Sequence, residues 1–289
     1  MANIKEYKKK IKSVKGTLKI TSAMKLVAGA KLAKAQGAIV SAKPYNAELQ
    51  DLISTVLASS YDYEHPYMDE TQNKKALLLV ISSDRGLCGS FNSQLAREVM
   101  NFIREHNEFE FKVHFVGKKV REIIEDLVNV GETHKFARGE PSDQEIRHLA
   151  NHLGELFTSG EFGRVFVAYN VFRSAISFKP EVEQFLPVTI SEEEKAALEK
   201  KGALDFKYEP NAKELLDKLI PESYINRLFC SFLDSHAAEH GSRMTAMDNA
   251  SKNCKEAIRV KTLKMNKIRQ AKITTELIEV VSGAEALNN

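Results

Sequence analysis

After Pro221 the chain runs to its last residue, Asn289, without another proline. Within that stretch Ile225, Leu228, Phe229, Phe232 and Leu233 are followed by Met244, Met247, Ala250, Cys254, Ile258, Met265 and Ile268 at near-heptad steps, and Leu277, Ile278, Val280 and Val281 close it. Steps of three and four residues lay one apolar stripe along a helix, and proline is the residue that would break it. At ~1.5 Å per residue, a helix over 222–289 reaches on the order of 100 Å, several times the diameter of a small domain. No compact domain buries such a helix alone, so the chain requires a second long one.

Residues 1–60 supply it. Ile4, Tyr7, Ile11, Val14 and Leu18 recur in the same alternation, and Leu49, Leu52, Ile53, Val56 and Leu57 resume it later. Between them Ala23, Ala28, Ala30, Ala33, Ala35 and Ala38 predict a small-residue seam, and Pro44 predicts a bend or a break. A compact middle segment returns the chain to its starting side, so the two helices are expected to pair antiparallel, the C-terminal one longer and protruding.

The middle alternates strand and helix. The patterns predict strands at Lys75–Ser82, Phe109–Val116, Arg164–Phe172 and, at an edge, Val182–Ile190, with helices at Ser93–His106, Lys118–Val128 and Ser142–Ser159. Apolar strands alternating with helices imply a mostly parallel sheet covered on both faces. The fold class is therefore α/β: a long antiparallel coiled coil of the terminal helices with an inserted Rossmann-like, mostly parallel domain. Its expected divisions are 1–60, 61–221 and 222–289.

The net charge of +3 conceals segregation. Residues 1–43 hold eleven lysines against the single acid Glu6, and residues 243–272 hold nine Lys and Arg against Asp248 and Glu256. A nucleic-acid arm would use such cations on phosphates, but here they are interleaved with an apolar seam, and the first helix offers only Tyr7 and Tyr45 for stacking. A solvated face and a shaft inside an acidic protein sleeve fit the same charges. Cys88, Cys230 and Cys254 are too few and too scattered for a disulfide framework or a zinc motif, which fits a reducing cytosol. The longest apolar run, Ala76 to Ile81, is far too short to span a membrane, and the N-terminus has no signal core.

Three constellations invite a chemical reading. Asp84-Arg85-Gly86-Leu87-Cys88-Gly89-Ser90 joins the first strand to a helix, where α/β domains often seat a phosphate, yet neither G-x-x-x-x-G-K-[ST] nor G-x-G-x-x-G occurs. A tight turn through Gly86 and Gly89, capped by Asn92 or Ser93, is the plainer reading. Cys88 at a helix start could be a nucleophile, but no histidine stands near it in sequence. His236 and His240 have the spacing of two metal ligands on a helix without a defined third. No catalytic residue, cofactor or metal site is expected.

Four segments, in order, resemble the gamma subunit of F-type ATP synthases. Ser13 to Ala28 (SVKGTLKITSAMKLVA) is similar to its N-terminal signature, Asp84 to Gly89 to its central-domain loop, and Arg243 to Ala250 with Asn266 to Ala284 to its C-terminal signature. Asp234 to His240 matches only loosely, and Met265 replaces a usual Tyr. The resemblance implies a central-stalk rotor, one copy per complex, inside a hexamer of alpha and beta subunits, with the α/β domain as a foot on epsilon and a membrane ring of c subunits. The chemistry would belong to the beta subunits, and nucleic acid would be no partner. Carried over residue by residue, it implies alpha and beta coupling contacts at Met24, Lys25, Arg243, Arg269, Gln270, Thr274 and Glu276, and epsilon and c-ring contacts at Phe206, Tyr208 and Glu209. The absence of a chloroplast-type cysteine insertion and of a transit peptide favours the bacterial form, peripheral on the cytoplasmic face of the inner membrane.

Overall fold

The computed structural model describes residues 4–58, 63–136, 141–189, 208–209 and 211–287. They fall into two units, one formed by residues 29–243 and one by residues up to 28 together with those from 244 onward. Two long helices contribute to both, α1 (Ile4–Ala58) and α5 (Ala212–Leu287).

In the larger unit a five-stranded sheet has the order β3-β2-β1-β4-β5, from strands β1 (Lys75–Ile81), β2 (Glu110–Val116), β3 (Asn129–His134), β4 (Arg164–Ser174) and β5 (Ser177–Leu186). Its β1, β2, β3 and β4 neighbours run parallel, and β5 closes one edge antiparallel to β4. Six consecutive buried residues from Ala76 to Ile81 make β1 the centre, because a strand covered on both faces has no polar side. Helix α2 (Phe91–Glu105) covers one face through Leu95, Ala96 and Val99. Helix α4 (Asp143–Thr158) covers the other, joined there by Tyr224, Ile225, Leu228 and Phe232 of α5.

Pro44, expected to bend or break the first helix, and Pro221, expected to precede the last one, both lie inside helices. Pro44 is exposed on α1, where the carbonyl it leaves unpaired can be hydrated, and buried Ile39 and Leu49 flank it. Pro221 sits in α5 between Leu216 and Ile220, packed against Leu49, Ile53 and Val56 of α1, and the sheet-facing Tyr224 and Ile225. Packing on both sides outweighs the lost hydrogen bond, and the helix starts instead at Asn211, whose Oδ1 accepts from the Glu214 amide at 2.8 Å. The expected small-residue seam holds only in part: Ala28 is buried and Ala35 and Ala38 are half-buried, but Ala23, Ala30 and Ala33 are exposed, and Leu32 and Ile39 take buried places. The 3–4 alternation therefore continues through large residues.

The segment Lys118–Val128 holds only a short helix, α3 (Arg121–Ile124), and one 3-10 turn, Glu125–Leu127. Strand β3 follows, which the sequence pattern did not predict. Asn-Val-Gly-Glu-Thr-His alternates weakly and is only half-buried, so neither period stands out.

Candidate functional site

In the smaller unit, residues 4–28 of α1 and 244 onward of α5 pair along Ile4, Tyr7, Ile11, Val14, Leu18 and Thr21 on one side and Met244, Met247, Ser251, Cys254, Ile258, Met265 and Ile268 on the other, all at least half-buried. The Thr21 and Ser251 hydroxyls meet at 2.8 Å in a buried polar layer. One turn on, Lys25 Nζ donates to Asp248 Oδ1 at 2.6 Å and Lys252 Nζ reaches Asp248 Oδ2 at 2.8 Å. Lys25 first, then Lys252, holds the Asp248 carboxyl down at about 2. Both pairs run antiparallel, because the residue number rises on one helix as it falls on the other. Such a polar layer fixes register at some expense of stability.

Met24 is half-buried beside this layer, and Lys25 is committed to Asp248. Beyond Ile268 the seam ends, and every residue from 269 to 284 is exposed. Arg269, Gln270, Thr274 and Glu276 all lie there. Their contacts are those of an isolated helix: Thr274 Oγ1 donates to the Gln270 carbonyl at 3.0 Å, and Glu276 pairs with Lys272 at 3.4 Å. Leu277, Ile278, Val280 and Val281 are 56–69 % exposed on the same stretch. An apolar surface of this kind on a single helix marks a place where something else docks.

Arg243 belongs to the larger unit and has a different setting. Its side chain is only 11 % exposed: Nη1 donates to Glu239 Oε1 at 2.6 Å, and Nη2 to the carbonyls of Arg85 and Gly86 at 3.2 and 3.5 Å. Ser242 Oγ donates to the Cys88 carbonyl at 2.5 Å. Helix α5 thus grips the loop after β1 through its backbone.

The loop is also tied from within. Asn92 Oδ1 accepts from the Ser83 amide at 3.2 Å, Asn92 Nδ2 donates to Ser83 Oγ at 2.8 Å and to Cys88 Sγ at 3.1 Å, and Ser83 Oγ donates to the Arg85 carbonyl at 2.9 Å. Asn92 therefore caps the strand end and not the helix, whose N-cap, Ser90, makes no side-chain capping bond and instead accepts from Gln94 Nε2 at 2.7 Å. The left-handed residues are Leu87 (φ +65°) and Gly89 (φ +59°), not Gly86. A leucine held there is strained by about 1–3 kcal/mol, which the surrounding bonds must outweigh. Its side chain points to solvent.

Burial raises the Cys88 thiol, which therefore stays protonated and packs with Phe91 and Ala238. That setting opposes a nucleophile. His236 and His240 stack edge to face at 5.9 Å, and among the described residues no further Cys, His, Asp or Glu completes a ligand cluster with them. Tyr208 packs against the Leu49, Val56 and Leu216 cluster, Glu209 is exposed, and Phe206 lies outside the described residues. Among the described residues no helix is long and apolar enough to cross a membrane. Sequence reasoning missed Asp248 and Ser251, although each stands on the seam opposite a polar residue of α1.

A family profile described as ATP synthase matches residues 3–287. The ATP synthase gamma chain of Geotalea daltonii is 40% identical over 289 residues, covering 99% of both chains, and that of Flavobacterium johnsoniae is 38% identical over the whole of each. Among solved structures, a chain of the Euglena gracilis mitochondrial ATP synthase aligns with 98% of this chain and 94% of its own, at a TM-score of 0.63 and 21% identity. A chain from the central stalk and c-ring of the Tetrahymena thermophila mitochondrial enzyme aligns with 80% of this chain and 99% of its own, at 0.61 and 24%. At these identities the structural likeness is one of fold.

Proposed function

The chain belongs to the family of ATP synthase gamma chains, and from that premise we propose that it turns as the central-stalk rotor of a proton-translocating F-type ATP synthase, passing rotation of the c-ring to the catalytic sites of the beta subunits. The observation that carries the proposal is the bare stretch of α5 from Arg269 to Ala284. An isolated helix with five large apolar side chains exposed, Ile273 among them, gains little from solvent, so its sequence makes sense inside a sleeve of other subunits. Leu277 to Val281 would be the bearing, where apolar contact slides without breaking directional bonds. Arg269, Gln270, Thr274 and Glu276 would supply the polar contacts to alpha and beta just before it, with Met24 and Lys25 contributing from α1. An asymmetric shaft that favours one beta conformation by about 1.4 kcal/mol changes its relative population tenfold, so differential contacts of ordinary size suffice.

Arg243 takes a positioning role in this reading. With its guanidinium committed to Glu239 and two loop carbonyls, it would couple by holding the 84–89 loop against α5. The α/β body would be the foot, with Tyr208 and Glu209, and Phe206 beside them in sequence, meeting epsilon and the c-ring. The complex would lie at the cytoplasmic face of a bacterial plasma membrane, with this chain peripheral to it. The purified chain is expected to hydrolyse no ATP and to restore coupled hydrolysis only when combined with alpha and beta subunits. Robust hydrolysis by the chain alone would contradict the proposal.

A further inference from the structure

We propose that His114, Glu132, His134 and His152 form a binding site for a borderline first-row divalent cation, Zn²⁺ being the best match, on the edge of the α/β body remote in sequence from every residue assigned to the rotor. Ligand atoms of His114, Glu132 and His134 lie within 4.8 Å of one another, and His152 Nε2 stands 3.1 Å from Glu132 Oε2. His134 Nε2 is 3.9 Å from the same carboxylate oxygen. Tetrahedral zinc with bonds of ~2.0–2.1 Å needs its ligands ~3.3 Å apart, which small rotations of these side chains provide.

The observation that points to a ligand is His114. It is 1 % exposed, yet among the described residues neither of its ring nitrogens has a hydrogen-bond partner. A buried imidazole with both nitrogens unanswered carries an uncompensated desolvation cost, and a metal bond would answer one of them.

The backbone is shaped to make the cluster. Val113 pairs with Val130 and Phe115 with Thr133, so His114 alone is opposed by two residues of β3, Gly131 and Glu132. This bulge shifts the alternation of β3 by one, bringing both Glu132 and His134 to the His114 side of the sheet. That side carries α4, as the burial of Val116 among α4 residues shows, and α4 delivers His152. Gly131 is required for the approach: a Cβ there would stand 2.2 Å from His114 Cδ2 and 2.6 Å from Nε2.

The donor chemistry fits. Imidazole with one carboxylate suits zinc and its neighbours better than the all-oxygen sites of Mg²⁺ or Ca²⁺. Burial lowers His114 to about 4 and lowers His134 as well, so both are neutral and able to ligate at neutral pH. Lys112, whose charge acts on His114, is turned toward Glu161 at 3.6 Å and the Phe162 ring. Glu132 and His152 are open to solvent and give the ion a path in. Bound there, it would staple the half-exposed strand β3 to β2 and α4.

The untagged full chain, stripped with a chelator and desalted, is titrated with Zn²⁺ by calorimetry and with Co²⁺ by visible absorption. The expected result is one Zn²⁺ per chain at about micromolar affinity or tighter, Co²⁺ bands of four-coordinate intensity, and a raised melting temperature. His134→Ala and His152→Ala, both at sites with solvent access, should each weaken binding by about tenfold or more while leaving the circular dichroism unchanged. Gly131→Ala should also weaken it. Absence of binding in this range, or binding of unchanged affinity in the His134→Ala/His152→Ala double variant, which would put the ion on Cys88, Cys230 or Cys254, overturns the proposal.

Discussion

Helix α5 contains two regions with the same secondary structure and opposite settings. From Ser223 to His240 most side chains are buried, on the sheet and α4 or on α1, whereas from Arg269 to Ala284 all are exposed. The first region is held by the chain's own core. The second has apolar residues at similar density but, among the described residues, nothing of its own chain covers them, so its stability has to be borrowed. A helix is thus specified twice over in one part and only half specified in the other, and function is sought in the half left open.

Removing packing from the buried region should have the largest effect. Leu228→Ala deletes a fully buried side chain in the sheet-facing core and is expected to cost about 3 kcal/mol in denaturant unfolding. Arg243→Ala comes next. It leaves Glu239 nearly buried and unpaired and frees two loop carbonyls, a loss of about 2 kcal/mol, with faster hydrogen exchange in residues 84–90 as its local sign. Arg243→Lys should restore the charge without the fork and recover only part of that protection.

A smaller effect is expected at the helix clasp. The Asp248 carboxyl lies below its ordinary value of ~3.9, so its stabilising contribution is whole above that pH and is lost as pH falls toward about 2. Helix content followed by circular dichroism should therefore drop between about pH 4 and 2 in the natural chain by more than in Asp248→Asn. Leu277→Ala with Ile278→Ala should change the stability of the free chain least, by under about 0.5 kcal/mol, because those side chains are 60 % exposed. The same pair should lower coupled hydrolysis in a reconstituted complex. A large loss of stability in the free chain would erase the contrast between the two regions.

Much of this was legible because heptad spacing survives over long distances. Ile4 to Leu18 and Met244 to Ile268 are written in a period that only a helix pair satisfies, and the run from Ala76 to Ile81 reads as a central strand by length and composition. The errors came where a local rule met tertiary packing. Pro44 and Pro221 break isolated helices but are carried here by flanking core residues, while Asn211-Ala212-Lys213-Glu214, a start signal visible in the sequence, was overlooked. Strand β3 was missed because its glycine and bulge blur the alternation, and with it went the cluster at His114, whose members are distant in sequence. Leu87 gave no sign of its left-handed backbone, since Asn92, Ser242 and Arg243, which bond the residues on either side of it, stand outside the turn. Of the site residues, Lys25 could be placed on the seam by period alone. The internal commitment of Arg243 could not, because its partners Arg85 and Gly86 are about 157 positions away.

The central claim is that the bare region of α5 is completed by other subunits. Hydrogen–deuterium exchange of the free chain and of the chain assembled with alpha and beta subunits tests it directly. The account predicts rapid exchange over 269–284 in the free chain and strong protection in the complex, with 223–240 protected in both. Equal exchange over 269–284 in the two states would contradict it.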